Sequence, residues 1–192
     1  MKITRTTTVL VLILVFAAAA AAQVERPEQQ QQDQFGTNVA GDGLIIPGQR
    51  IGPLKLGMSI DQILKAMPGG YKREVFDKQN IILYEWRNEG IWVSLDEDSK
   101  VVRLISAFGS GNYRTDKGVQ LLHPESRMLA AYGKDFKRYN YPEDRISLVR
   151  YVSLGLQFGL VNQPGNAVLH GRVFTIGVFT PGKEPPLTKR PQ

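Results

Sequence analysis

The side chains able to do chemistry are few and scattered along this chain. One carboxylate cluster occurs, Asp96-Glu97-Asp98-Ser99. Alternating acids can bind calcium, but the turn glycine and bidentate glutamate that complete a calcium loop are missing. The run reads as a hairpin turn with solvated charges. The two histidines, His123 and His170, fall in different elements, with no cysteine and no carboxylate pair at ligand spacing. A metal site is therefore not expected. No nucleophile elbow and no metalloprotease motif is present. Gly109-Ser110-Gly111 precedes no helix start, so it reads as a joint rather than a phosphate cradle. The expectation is no enzyme, no catalytic residue, no metal and no cofactor.

What remains is the chemistry of contact. In Gly90-Ile91-Trp92-Val93-Ser94-Leu95, apolar residues alternate as in a strand with one buried face. If Ile91, Val93 and Leu95 face a core, Trp92 faces the other way. The strand before it adds Tyr84 and Trp86. Further on, Tyr132, Lys134, Phe136, Lys137, Arg138, Tyr139 and Tyr141 interleave basic and aromatic side chains, a composition suited to an acidic partner. Aromatic and arginine side chains are frequent anchors of protein interfaces. Trp86, Trp92, Lys137, Arg138, Tyr139 and Tyr141 are accordingly the candidate partner-binding residues.

The elements that must position them occur twice. Gly155-Leu156-Gln157-Phe158-Gly159-Leu160 repeats the pattern of Gly90 to Leu95 at an offset of 65. The same offset places Ile63 and Leu64 on Met128 and Leu129, Ile81 on Ile146, and Trp86 on Tyr151. Beyond the turn-like Asn162-Gln163-Pro164-Gly165-Asn166, the offset becomes 71, with Ile105 on Ile176 and Phe108 on Phe179. Shared apolar spacing of this kind is the residue of a duplicated supersecondary unit.

The first unit opens with a short extended segment, Leu44-Ile45-Ile46-Pro47-Gly48, and a tight turn through Ile51 to Met58; each unit then has a short helix. Ser59 and Gln62 form a capping-box pattern before the stripe Ile60, Ile63, Leu64, Met67, and Pro68-Gly69-Gly70 ends it. In the second unit Pro124 and Glu125 start the helix and Gly133 stops it. Three strands follow in each case, near 80–87, 90–95 and 101–108, then near 146–152, 154–161 and 172–179. The predicted fold class is α+β: two tandem helix-plus-three-strand units, spanning 44–110 and 111–180, with an antiparallel sheet and helices packed on one face.

The ends read differently. Lys2 and Arg5, the apolar run Val9 to Phe16, and the small residues through Ala22 predict a signal peptide over 1–22, cleaved after Ala22. The alternative is an N-terminal membrane anchor, which would ordinarily need about 20 apolar residues. A Gln-rich linker over 23–43 and a Pro-rich tail over 181–192 are expected to be disordered. The predicted location is periplasmic or secreted. The 192 residues carry 24 Lys and Arg against 18 Asp and Glu, a net charge of +6. Without the two leader charges +4 remains, enough for loose contact with an anionic envelope surface. No nucleic-acid motif accompanies it.

The phrase Ile51-Gly52-Pro53-Leu54-Lys55-Leu56-Gly57-Met58-Ser59, set before a short helix and an antiparallel hairpin sheet, resembles the β-lactamase-inhibitor-protein-like fold. That group includes secreted inhibitors built from tandem units and a single-unit lipoprotein of the outer-membrane assembly machinery. The resemblance covers about 50–180 and implies a non-catalytic envelope or secreted module that binds protein through its sheet and loops. Two departures limit it. The inhibitors carry disulfides and the lipoprotein a lipidated cysteine, whereas this chain has no cysteine. The expected function is an exported, monomeric protein-binding module with a protein partner. Alternatives are an inhibitor of a secreted hydrolase or protease, a surface-polymer binder using Lys134 to Arg138, and an enzyme of unknown type using Asp96, Asp98 or His123.

Overall fold

Alternating apolar residues and tight turns build most of the chain into strands. The structure is a computed structural model that describes residues 40–77, 80–96, 98, 101–109, 112–141 and 143–186. The expected leader and most of the linker lie outside the described residues. In chain order the elements are β1 (Leu44–Ile46), β2 (Arg50–Ile51), β3 (Leu54–Lys55), α1 (Ile60–Ala66), β4 (Lys72–Phe76), β5 (Ile81–Trp86), β6 (Ile91–Asp96), β7 (Val102–Phe108), β8 (Arg114–Thr115), α2 (Glu125–Tyr132), β9 (Lys137–Tyr141), β10 (Ile146–Tyr151), β11 (Leu156–Val161) and β12 (Val173–Phe179). A 3₁₀ turn, Val152–Leu154, joins β10 to β11.

Eight strands form one antiparallel sheet in the order β4-β5-β6-β7-β12-β11-β10-β9. Its pairing recurs. Adding 65 to the β5–β6 register, from Trp86↔Ile91 to Ile81↔Asp96, gives the β10–β11 register, from Tyr151↔Leu156 to Ile146↔Val161. The β4–β5 and β9–β10 registers are related by the same shift. So are the irregularities at Ser94/Leu95 and Gly159/Leu160, and the left-handed turns at Gly90 and Gly155, both at φ 64°. At the centre β7 pairs with β12, placing Ser106 opposite Gly177. These two residues are 71 apart, so a local two-fold axis passes through them.

The main core lies on one side of this sheet. Tyr84, Trp86, Ile91, Val93, Ile105 and their counterparts Val149, Tyr151, Leu156, Phe158 and Ile176 form one buried cluster with Ile63 of α1 and Met128 of α2. A second, four-stranded sheet in the order β3-β2-β1-β8 contributes Ile45, Ile51 and Leu54 to the same cluster. The α1 N-terminus has the full capping box: Ser59 Oγ accepts from the Gln62 amide and Gln62 Oε1 accepts from the Ser59 amide. Among the described residues no helix is long and apolar enough to cross a membrane.

Two expectations are corrected. The described chain is mostly β rather than α+β, since its helices are only 7 and 8 residues long. A helix this short depends on packing for its stability, and here it shares its layer with the small sheet. Each half gives the large sheet four strands, not three. The extra strands are the outermost, β4 and β9, whose Lys-Arg starts carry little apolar alternation; charged edges of this kind are usual because they discourage pairing with other chains. Strands from the two repeats also pair with each other: β8 runs parallel to β1 and β7 antiparallel to β12.

Candidate partner-binding face

Residues directly opposite in an antiparallel pair share a face, so the registers decide where each candidate points. Trp86 lies opposite Ile91 and is fully buried in the main core. Its indole N–H donates to the Met67 carbonyl at 3.2 Å, where α1 ends. Its expected part in partner binding is therefore corrected: it is a core residue, and so is Tyr84. Trp92 lies opposite Glu85 and Ser106, on the face turned away from the helices. It is half-buried and stacks on Phe108, with ring centroids 4.4 Å apart. Leu83 and Leu104, half-buried, stand on the same face beside Ser94. Phe108, Phe179 and Ile81 are buried there, outside the main core.

The basic and aromatic stretch is divided by the pleat of β9. Arg138 points to the helix side and forms an ion pair with Glu125 in the first turn of α2. It does not join the other candidates. Lys137, Tyr139 and Tyr141 point to the helix-free face, opposite Arg150, Leu148 and Ile146. Trp92 and Tyr139 are separated by five strand spacings, roughly 24 Å, so they sit toward opposite ends of one surface.

At the β9 end the face carries a polar cluster that the sequence reading did not assemble. Arg150 is 3% exposed, an unusual position for a cation. Its Nε donates to Gln157 Oε1 at 3.1 Å and its Nη1 to the Pro185 carbonyl at 2.7 Å. The same Nη1 lies 3.4 Å from Glu184 Oε1. Tyr139 donates to that oxygen and Lys137 Nζ to Oε2, at 2.5 and 2.9 Å. The Arg150 guanidinium sits over the Tyr139 ring, 5.5 Å from its centroid. The Tyr139 hydroxyl and the two cations hold the Glu184 carboxyl below the ordinary glutamate range, against a smaller opposing effect of burial. Burial pushes Arg150 down and Glu184 partly restores it.

Residues 181–186, part of the tail expected to be disordered, thus form a strap across one end of the face. Pro181 and Gly182 make its turn, with Gly182 at φ 75° and the Lys183 amide donating to the Thr180 carbonyl at 3.0 Å, as a type II turn requires. The Gly182 amide donates to the Val152 carbonyl. Residues 187–192 lie outside the described residues. A Glu-Pro-Pro run has no local signal for such docking, and its partner Arg150 read as one more strand residue.

Of the remaining chemical candidates, Asp96, Asp98 and His123 have partners within the fold. Asp96 is in an ion pair with Arg103, and Asp98 accepts from Asn80 Nδ2; Glu97 and Ser99 lie outside the described residues. His123 Nδ1 accepts from the Gln120 amide at 3.2 Å. His170 lines a polar cavity of about 230 Å³ with Glu125, Arg138, Asn140 and Ser147. No group of three metal-ligating side chains occurs among the described residues.

No family model matches this chain, and no curated protein matches it. Two solved structures are similar in part. The uncharacterised protein YfeY of Escherichia coli is 12% identical, with a TM-score of 0.47 over 75% of this chain and 99% of that one. A cysteine-rich secretory protein of Staphylococcus aureus is 9% identical, with a TM-score of 0.42 over 77% of this chain and 50% of that one. Neither bears on the resemblance to the β-lactamase-inhibitor-protein-like fold.

Proposed function

We propose that this is an exported, non-catalytic module that binds a protein partner through the helix-free face of its eight-stranded sheet. The observation that carries this reading is Trp92, half-buried and stacked on Phe108 beside Leu83 and Leu104, on a face that the described strap crosses at its far end. An aromatic held flat against a second ring is a rigid anchor that loses little entropy on binding. Export rests on the leader-like first 22 residues. The test is pull-down from the exporting cell with purified protein. Trp92→Ala and Tyr139→Ala should weaken capture of one and the same partner while thermal unfolding stays cooperative. Asp61→Ala, on the helix side, should leave capture unchanged. Loss of capture in the Asp61 variant alone would exclude the helix-free face.

A further inference from the structure

The strap is held by side chains of the sheet that grip its Glu184 carboxylate and Pro185 carbonyl rather than by strand pairing. Its Glu184 side chain is 24% exposed, against 3% for Arg150. Pro185 is buried, while Pro181, Gly182, Lys183 and Pro186 are exposed. Beyond the Gly182 amide on Val152, the polar contacts between strap and sheet among the described residues are those of Glu184 and the Pro185 carbonyl with Lys137, Tyr139 and Arg150.

The receiving side is built. Gln157 fixes the guanidinium through Nε, and the Tyr139 ring packs against it. A cation so deeply buried is strongly destabilising without a carboxylate beside it. The fold itself does not require this arrangement. In the first half, the same three register positions hold Lys72, Glu74 and Glu85, so a glutamate stands where the second half has Arg150. Glu85 pairs instead with Arg87 beside it. The same scaffold is therefore completed at one end without any carboxylate receptor.

We propose that Lys137, Tyr139 and Arg150 form a receptor for a glutamate followed by proline on an extended segment of the protein partner. The chain's own Glu184-Pro185 occupies this receptor in cis until such a segment displaces it. This rests on the reading that the helix-free face binds protein, and it names one chemical feature of that partner and a self-occupied state of the site. Proline suits the role because it fixes an extended backbone and leaves the preceding carboxylate free to point at Arg150. A tethered strap competes at high effective concentration, so a free segment should bind poorly while Glu184 is intact.

The test uses the full chain and a dye-labelled peptide of its own residues 180–186, followed by fluorescence anisotropy. Glu184→Gln should bind this peptide about tenfold more tightly than the unaltered protein, the equivalent of one charge-assisted hydrogen bond. Replacing the peptide's glutamate by glutamine should remove most of that gain. So should adding Tyr139→Phe, which keeps the ring and removes only the hydroxyl, so that misfolding does not explain the loss. Equal binding to both proteins, or equal binding of the glutamate and glutamine peptides, overturns the proposal. Partner capture separates the two claims. Capture that depends on Trp92 but ignores Glu184→Gln and excess peptide overturns the receptor and leaves the binding face intact. Peptide exchange without any captured partner supports the self-occupied site but overturns its assignment to a protein partner, together with the face reading.

Discussion

The two tryptophans give the most direct check on which side of the sheet is core. Trp86 is fully buried, donates its indole N–H to the carbonyl of Met67, and packs near Tyr71 and Tyr84. Trp86→Ala removes the side chain from a closed site and leaves a cavity, which typically costs about 3–5 kcal/mol. Trp86→Phe keeps most of the volume and loses the hydrogen bond, with an expected loss of about 1–2 kcal/mol. Trp92 is half-buried and stacks on Phe108. Trp92→Ala should therefore cost about 1 kcal/mol for the stack and less than about 2 kcal/mol in all. Domains of this kind have about 5–15 kcal/mol in total, so the first change threatens folding and the second does not. Urea unfolding at neutral pH measures all three. The chain has only two tryptophans, so Trp86→Phe and Trp92→Phe each leave a single fluorophore. Acrylamide should quench Trp92 in the first and spare Trp86 in the second. Equal stability losses for the two alanine variants, or a readily quenched Trp86, would refute the assignment of faces.

Further predictions follow from particular positions. Gly155 sits at φ 64°, and a Cβ there would lie 2.1 Å from the Phe179 carbonyl oxygen; Gly155→Ala should destabilise by more than about 2 kcal/mol and be seen as a lower urea midpoint. Ser59→Ala removes half of the capping box and should cost about 1 kcal/mol, with hydrogen exchange accelerated first in α1. Glu184 has a depressed folded-state pKa, so its hold on the strap is complete above the ordinary glutamate value and lost as pH falls through the depressed one. An NMR titration of residues 182–186 should show release centred below the ordinary glutamate pKa, and a midpoint at or above it would contradict the clasp.

The parts of the fold that could be read from the sequence are those where one face is buried and the other is not. Ile91, Val93 and Leu95 alternate with polar or half-buried neighbours, so β6 and its counterpart β11 stood out, as did the direction of Trp92. Strand β5 was harder, because Ile81, Ile82, Leu83 and Tyr84 place apolar side chains on both faces. Its register with β6, which depends on the turn at Gly90 and on tertiary pairing, decided that Trp86 is internal. The edge strands β4 and β9 escaped because half their ladder is unpaired and their side chains are mostly exposed, which leaves no period-2 apolar signal. The same pleat separated Arg138 from Lys137 and Tyr139, although all three looked like one patch in the sequence. The strap could not be read locally at all: its cause is a buried arginine 34 residues upstream of Glu184.

Partner contact is proposed to fall on the helix-free face. Photo-crosslinking in the native host cell tests it directly, with a benzophenone amino acid placed singly at Leu83, Trp92, Asp61 or Arg127. Crosslinks from positions 83 and 92 should join one and the same protein, identified by mass spectrometry, with none from positions 61 and 127 on the helices. Crosslinks confined to the helix positions, or unrelated proteins from 83 and 92, would contradict the claim.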